Sequence, residues 1–278
     1  MLTTSDLIYS VSDEDAKNNC NCDTEVIPFI NYNEPAPKRC LNMLLAKYYH
    51  RPYQSEVIMN EPEKEIIPVL KKKLNDAKIM LFTDGGLVPK GNPDRIPSTS
   101  SKHYGIYSIE GMTRLDPKDY MVSHQGYDNT YILEDPNRLL PLDALRELER
   151  KHVIGSIHDC FVSTTGVMSP VEQCKNMGKR IAEYAVCQKV DAVIIVSACG
   201  TSTRCGSYIG KALREREIPI VQVTNLTRIA VDMGITRVVK GNNICYPFGN
   251  PELSKTSEYN DRMKLVQSAL ELLMENPE

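Results

Sequence analysis

Features that would assign the chain to a membrane or to a secretory route are missing from the sequence. No apolar run approaches the roughly 20 residues that a membrane-spanning helix needs, so no transmembrane segment is predicted. The N-terminal region carries Asp6, Asp13, Glu14 and Asp15, without the basic and apolar segments of a secretory signal. We therefore expect a cytoplasmic protein with no membrane partner.

A strong charge of either sign is also missing. The net charge is −3 at pH 7, so there is no overall positive field, and we expect no nucleic-acid partner. Hydrophobic residues make up 41% and charged residues 25% of the chain, which is ordinary for a soluble globular protein. A length of 278 residues allows one large domain or two smaller ones.

Motifs for metal binding are absent, because neither C-x-x-C nor H-E-x-x-H occurs, so we expect no metal site. The nine cysteines are an odd number in a long chain, and most are interpreted as small buried residues. Cys20 and Cys22 form a C-x-C in an asparagine-rich segment. There a polar loop with incidental cysteines is favoured over a metal or redox site.

The pattern along the chain predicts an α/β fold with two lobes, in which parallel sheets are flanked by helices, plus an irregular N-terminal arm. The arm or cap covers residues 1–61 and contains a helical patch at 41–49. The first lobe covers 62–155 and the second 156–278. Continuous apolar runs at 78–83 and 191–196 are typical of strands that are buried on both faces.

The other elements follow from periodicity and end signals. Helices are predicted at 63–75, 142–151, 204–217 and 256–276. A strand that runs into a turn is predicted at 120–129, and a further strand at 218–223. Ser169 and Glu172 form a capping box, with Pro170 at the first helical position, for a helix that ends near 189. Residues 191–223 therefore form a βαβ unit, which requires a parallel sheet.

Cys199 is the leading candidate for chemistry, because it follows a buried strand and precedes a helix. Ligands of parallel sheets bind at this end of the strands. The first helical turn and the charge of Arg204 favour a thiolate, which is a competent nucleophile. The hydroxyl groups of Thr201, Ser202 and Thr203 are predicted to cap the helix or to bind an anionic substrate group. The alternative, a small buried residue at a tight turn, stays open.

Two histidine segments are predicted to complete the site. His124 and Asp128 flank a turn that contains Tyr127, and they form a candidate acid–base pair. His158 lies beside a further predicted strand and is a second candidate for proton transfer.

Glycines and a second thiol extend the list of candidates. Asp84, Gly85 and Gly86 end the first strand, where the glycines allow a ligand to approach the backbone closely. With Tyr127, Gly200 and Arg204, they are predicted to contact the substrate. Cys205 follows Cys199 by six residues, too far for a relaxed disulfide between two helical positions. Helix packing, a supporting role and a redox role all remain open for Cys205.

Several long ungapped segments between residues 78 and 254 resemble the selenoprotein B subunit of the glycine, sarcosine and betaine reductases. A fainter likeness is to the selenoprotein of D-proline reductase. The segments are DGGLVPKGNP (84–93), SHQGYDN (123–129), DPNR (135–138), PLDALRELE (141–149), IHD (157–159), SACGTSTRCG (197–206) and PFGNP (247–251).

The resemblance implies an enzyme subunit that cleaves the C–N bond of a small amino-acid-like substrate reductively. The position of Cys199 is selenocysteine in that family, and the implied nucleophile is therefore residue 199. His124, Asp128 and His158 become candidates for substrate positioning or proton movement. No cofactor bound to this chain is implied; a pyruvoyl group would come from a partner subunit. A selenoprotein A-like or thioredoxin-like carrier is the second implied partner, and a homo-oligomer is expected.

Three departures from the family pattern and two alternatives accompany this hypothesis. The first departure is Cys199 itself, for which a native cysteine and an encoded selenocysteine both stay open. Ser202 stands where the glycine reductase subunits usually carry a second cysteine, and residues 1–60 do not match them. One alternative is a binding or assembly protein that kept the fold and lost the chemistry. The other is a racemase-like enzyme with cysteines as acid and base, which would need a second thiol near Asp84.

Overall fold

The computed structural model describes residues 30–56 and 67–275. The chain divides into two compact units, Met1–Glu61 and Pro62–Glu278. Cys20 and Cys22, and the first residues of the helix predicted at 63–75, lie outside the described residues.

The first unit contains one described helix, α1 (Ala36–Tyr48), which includes most of the predicted helical patch. Arg39 donates through Nε to Glu56 at 2.8 Å, and this ion pair ties the helix to the segment after it. Leu41, Leu44 and Tyr48 are all exposed, and the helix buries no side chain.

The second unit is built on a mostly parallel sheet. Its strands are β1 (Lys78–Thr83), β2 (Leu87–Pro89), β3 (Gly105–Ser108), β4 (Tyr120–Val122), β5 (Ser156–Ile157), β6 (Cys160–Ser163), β7 (Ala192–Val196), β8 (Ile220–Thr224) and β9 (Val238–Lys240). Its helices are α2 (Thr130–Glu134), α3 (Leu142–Arg150), α4 (Val171–Cys187), α5 (Gly200–Arg214), α6 (Thr227–Asp232) and α7 (Lys255–Met274).

Seven of these described strands form one sheet in the order β3-β6-β1-β7-β8-β9, with β5 also paired to β1. All pairs in it are parallel except β3 with β6. The remaining strands, β2 and β4, form a separate antiparallel pair. The predicted α/β class, with a mostly parallel sheet flanked by helices, is confirmed.

The two halves that the sequence suggested as separate lobes share this sheet, so the two-lobe division is corrected. Strand β1 pairs directly with β7, from Ile79 opposite Ala192 to Thr83 opposite Val196. Both strands are buried on both faces, and such strands belong in the middle of a covered sheet.

Side-chain alternation along these strands divides the core into two layers. Ile79 and Leu81 point into a cluster that includes side chains of α3 and α7. Met80 and Phe82 point into the opposite cluster, which includes side chains of α4, α5 and α6. Helices therefore cover both faces of the sheet.

The strand order places a topological switch point between β1 and β7. From β1 the chain continues to β6 on one side, whereas from β7 it continues to β8 on the other. Ligands of open α/β sheets bind at the carboxyl ends of the strands at such a point. Asp84 follows β1 here, and the segment that leads to Cys199 follows β7.

Three local predictions need correction. Residues 67–73 are not helical, and only a short 3₁₀ helix forms at Leu74–Asp76, because Pro68 disfavours a helix through this segment. The helix predicted from 204 begins at Gly200, one turn earlier. Ser169 does not cap α4, since its hydroxyl group donates to the carbonyl oxygen of Thr165 at 2.8 Å.

Buried ion pairs hold α7 against the sheet unit. Arg262 donates to Asp135 at 2.8 Å and also to Asp143, and only 3% of its side chain is exposed. Arg138 donates through Nε to Glu258 at 2.8 Å. Two of the segments with family resemblance, 135–138 and 141–149, therefore supply structural contacts.

Candidate functional site

Cys199 occupies the N-cap position of α5, at the carboxyl end of β7. Its backbone is extended, and its carbonyl oxygen accepts the first intrahelical hydrogen bond, from Thr203 N–H at 2.8 Å. Its side chain does not cap the helix and is half-buried. The thiol therefore lies at the positive end of the dipole of a 15-residue helix.

Three polar side chains surround the sulfur. The Cys199 thiol donates to Ser202 Oγ at 3.3 Å, and Thr201 Oγ1 lies 3.7 Å from Sγ. His124 Nε2 lies 3.9 Å from Sγ. The structure thus brings four of the sequence-predicted site residues together, although His124 is 75 positions from Cys199 along the chain.

Both ring nitrogens of His124 have hydrogen-bond partners. Its Nδ1 accepts the N–H of Gly126 at 2.9 Å, and its Nε2 lies 2.7 Å from Ser202 Oγ. The Tyr127 ring packs against it with a centroid distance of 4.7 Å. The imidazole is 2% exposed, and this burial lowers the pKa of His124 to about 4. The ring is therefore neutral at physiological pH.

Asp84 supports the segment that carries the thiol. Its carboxylate accepts the hydroxyl of Ser197 at 2.5 Å and the N–H of Ala198 at 3.2 Å. Burial raises the pKa of Asp84 to about 7, while these hydrogen bonds act in the opposite direction. The side chain is fully buried, so the structure places it beneath the site and not where a substrate would contact it.

A buried polar network continues below Asp84, and sequence reasoning missed it. Gln222 donates to Ser197 Oγ at 2.9 Å and to the carbonyl oxygen of Thr203 at 3.0 Å. Ser207 donates to Gln222 Oε1 at 3.0 Å. A glutamine flanked by valines in the middle of β8 is the sequence signal that could have indicated this network.

The glycines after β1 allow two backbone segments to pack closely. Gly86 has a φ of +76°, and a Cβ there would lie 2.3 Å from the carbonyl oxygen of Ser123. The Tyr127 hydroxyl donates to the carbonyl oxygen of Gly85 at 2.8 Å. Gly85 and Gly86 therefore allow the loop of His124 to pack against the end of β1, and the close approach of a ligand there stays a prediction.

Gly126 is a site residue that the sequence analysis did not select. A Cβ at this position would lie 2.7 Å from His124 Cε1, 2.9 Å from Cys199 Sγ and 3.1 Å from Val167 Cγ2. On the other side, a Cβ on Gly200 would lie 3.2 Å from Ile229 Cδ1. The absence of a side chain at Gly126 therefore leaves the space that the sulfur and the imidazole occupy.

Two predicted acid–base residues lie elsewhere. Asp128 is exposed, and its carboxylate accepts the N–H of Thr130 at 3.0 Å, so it does not pair with His124. His158 Nε2 lies 2.8 Å from the Tyr184 hydroxyl, and the backbone N–H of His158 donates to the carbonyl oxygen of Ile79. Ile79 lies four residues before the end of β1, so His158 is about 13 Å from the carboxyl edge of the sheet, where Cys199 lies.

Arg204 and Cys205 also face away from the thiol. Arg204 donates to the carbonyl oxygen of Ser169 at 3.1 Å, before the start of α4. Cys205 is fully buried in the core beside Cys174. The hydrogen bond with Cys174 and burial raise the pKa of Cys205 well above its ordinary value. Neither residue provides a resolving thiol or a charge at the sulfur of Cys199.

The described residues contain no group of three or more His, Cys, Asp or Glu side chains that could hold a metal ion. Across residues 30–56 and 67–275, no helix combines the length and apolar character required to cross a membrane.

Comparison with known proteins identifies a family. The model of the glycine/sarcosine/betaine reductase selenoprotein B family matches residues 23–198, more than half of the chain. The expectation that residues 1–60 do not match the family is therefore wrong for residues 23–60. The match to the family model ends immediately before Cys199. No solved structure matches the chain significantly.

Individual relatives are components of reductase complexes. The chain is 39% identical over 236 residues to the glycine reductase complex component B subunit gamma of Peptoclostridium acidaminophilum, covering 85% of this chain and 54% of that one. It is 37% identical over 240 residues to the betaine reductase complex component B subunit beta of the same organism, covering 86% and 55%. It is 26% identical over 220 residues to the D-proline reductase subunit gamma of Acetoanaerobium sticklandii, covering 77% and 88%.

The chain spans about half the length of the glycine and betaine reductase components. Its identities to these two differ by only two percentage points and do not single out one substrate. The matched family model and the 39% identity over 85% of the chain nevertheless agree on the lineage. The chain belongs to the glycine/sarcosine/betaine reductase selenoprotein B family.

Proposed function

We propose that this chain is the thiol-bearing component of a reductase complex that cleaves the C–N bond of glycine, sarcosine, betaine or a close analogue. Cys199 attacks the substrate carbon next to the nitrogen and holds it as a covalent adduct. The observation that carries this proposal is the position of the half-buried thiol at the N-terminus of α5, within contact of Ser202 and His124. A helix N-terminus favours the thiolate, which is the nucleophilic form.

The proposed step is a substitution at carbon. A bond forms between Cys199 Sγ and the substrate carbon while the C–N bond breaks, and its electron pair leaves with the nitrogen. The thiol proton goes to solvent before the attack, and the product on the protein is a carboxymethyl thioether. No atom of this chain is oxidised or reduced in that step.

Partners complete the proposed reaction. A pyruvoyl-bearing subunit would activate a primary or secondary amine as a leaving group, as the family resemblance implies. A selenoprotein A-like or thioredoxin-like carrier would then take the carboxymethyl group by attack of its own selenol or thiol, and a dithiol would supply the two electrons of the net reduction. Relatives that are named as complex components support a multi-subunit assembly.

The racemase-like alternative is not favoured. Such an enzyme needs a second thiol across the substrate, and the end of β1 opposite Cys199 carries Asp84, Gly85 and Gly86. The assembly-protein alternative is distinguished by experiment, because it requires no reactive thiol.

Trapping the adduct tests the proposal. The chain would be incubated with a pyruvoyl-bearing reductase component and ¹³C-labelled glycine, sarcosine or betaine, without carrier, and digested for mass spectrometry. We expect one labelled carboxymethyl group on Cys199, absent from Cys199→Ser and retained in the control Cys187→Ser, whose cysteine is exposed on α4. Label on another cysteine, or unlabelled protein with all three substrates, would refute the assignment.

A further inference from the structure

The proton of His124 has a fixed position in the neutral ring. A neutral imidazole has one N–H and one bare nitrogen. Nδ1 accepts the N–H of Gly126 at 2.9 Å, so it is the bare nitrogen. The proton is therefore on Nε2, which points at Ser202 Oγ at 2.7 Å.

The position of this proton determines to which acceptor the Ser202 hydroxyl group can donate its hydrogen. A serine oxygen has two lone pairs and one hydrogen, and His124 N–H occupies one lone pair. While Cys199 is a thiol, its S–H donates to the oxygen at 3.3 Å, and the Ser202 hydrogen points to the carbonyl oxygen of Asp84 at 3.4 Å. Once the thiol proton is lost, the same hydroxyl can rotate and donate to the sulfur.

We propose that His124 is a positioning residue that stays neutral and donates to Ser202, so that the Ser202 hydroxyl donates to the Cys199 thiolate; His124 is not the base that deprotonates the thiol. The role deepens the proposed function, since it concerns the nucleophile of that reaction. The proton of the thiol leaves to solvent from the half-buried sulfur and does not pass through the imidazole.

A role for His124 as the base conflicts with its contacts. A proton can enter only at Nδ1, and there it would face the Gly126 N–H and break that hydrogen bond. The titratable groups around the pair are Cys199 on α5, Tyr127 in the same loop, and Asp84 after β1. Burial lowers the pKa of His124 in this surrounding, in agreement with a ring that stays neutral.

Two measurements on the full chain test the inference, and neither needs substrate. The first is the ¹⁵N spectrum of the His124 ring between pH 5.5 and 8.5, assigned by its loss in His124→Gln. We expect the neutral form with the proton on Nε2 across the whole range. An imidazolium that titrates near pH 6.5, or a proton on Nδ1, would overturn the proposal.

The second measurement is the rate of Cys199 alkylation by iodoacetamide in matched variants. The glutamine amide nitrogen can occupy the position of Nε2 and donate to Ser202, but it cannot act as a base. We expect His124→Gln to keep the wild-type rate within about threefold with the same pH profile, and His124→Leu and Ser202→Ala to slow it about tenfold at pH 7. The control His103→Gln, on an exposed histidine, should leave the rate unchanged.

A rate in His124→Gln as low as in His124→Leu, with a changed pH profile, would contradict the donor role and support a base. The two proposals fail independently. If no substrate adduct forms but the spectrum and rates are as expected, the proposed function fails and the role of His124 stands. If the adduct forms and the ring titrates, only the role of His124 fails.

Discussion

The Oγ atom of Ser202 lies 3.3 Å from the Sγ atom of Cys199, across the first turn of α5. The two residues are spaced as C-x-x-S at a helix N-terminus, so position 202 faces the sulfur of the proposed nucleophile directly. The side chain at position 202 therefore decides whether Cys199 has a hydroxyl group or a second thiol as its nearest partner.

A cysteine at position 202 is expected to form a disulfide with Cys199, because its sulfur would start within contact distance of the Cys199 sulfur. Ser202→Cys treated with a mild oxidant should lose alkylation at both positions and regain it after reduction. The oxidised wild type serves as control and should keep a free Cys199, since Cys205 lies buried beside Cys174. Two freely alkylated thiols in the oxidised variant would contradict the described geometry of the turn.

Gly126→Ala is expected to obstruct the thiol. The added methyl group would lie 2.9 Å from Cys199 Sγ and 2.7 Å from His124 Cε1, closer than such carbons approach either atom. Alkylation of Cys199 should slow by at least about tenfold, with other cysteines unaffected. The matched control is Gln125→Ala, at the neighbouring exposed residue. An unchanged rate of Cys199 alkylation in Gly126→Ala would show that the loop of His124 and Gly126 does not pack against the sulfur.

Asp84→Asn is expected to change how stability depends on pH. Folding raises the pKa of Asp84 from 3.8 to about 7, so the folded state holds a proton that the unfolded state releases between these values. The wild type therefore loses stability as pH rises from about 4 to 7, and the loss is complete above the folded pKa.

An asparagine carries no such proton, so the free energy of unfolding of Asp84→Asn should rise relative to the wild type between pH 5 and pH 8. Urea unfolding at one-unit steps of pH measures the difference. If the free energy of unfolding of Asp84→Asn instead falls relative to the wild type as pH rises, the buried Asp84 carboxylate is stabilised in its charged form.

Arg262→Ala is expected to destabilise the second unit without altering the thiol. It leaves Asp135 and Asp143 in a buried setting without their shared cation, and loss of one partner of a buried ion pair costs about 3–5 kcal/mol. The exposed pair of Arg150 and Glu147 gives the control, where Arg150→Ala should cost at most about 1 kcal/mol. Equal unfolding free energies for the two variants would contradict the structural role of Arg262.

Local sequence signals predicted the strands that carry the site, because β1 and β7 are covered on both faces and therefore appear as continuous apolar runs. The same signal located Cys199 at a strand end. It could not show that β1 and β7 are neighbours, since strand order depends on contacts between residues more than 100 positions apart.

Side-chain partners were predicted less well for the same reason. His124 was paired with Asp128, four residues away, whereas its partner in the fold is Ser202, 78 residues away. The sequence predicts that Asp84 contacts the substrate, and only the folded structure shows that its carboxyl group is buried and binds Ser197 and Ala198, between β7 and α5. Proximity in sequence indicated the right segments but not which side chains meet.

The most direct test of the central claim is iodoacetamide alkylation as a function of pH, mapped by mass spectrometry across all nine cysteines. Cys40 and Cys187 are exposed and provide internal standards for ordinary accessible thiols. We expect half-buried Cys199 to react roughly tenfold faster than either standard at pH 7, because the N-terminus of α5 favours its thiolate. If Cys199 reacts no faster than Cys40 and Cys187, or only after unfolding, the thiol is structural and the catalytic account is wrong.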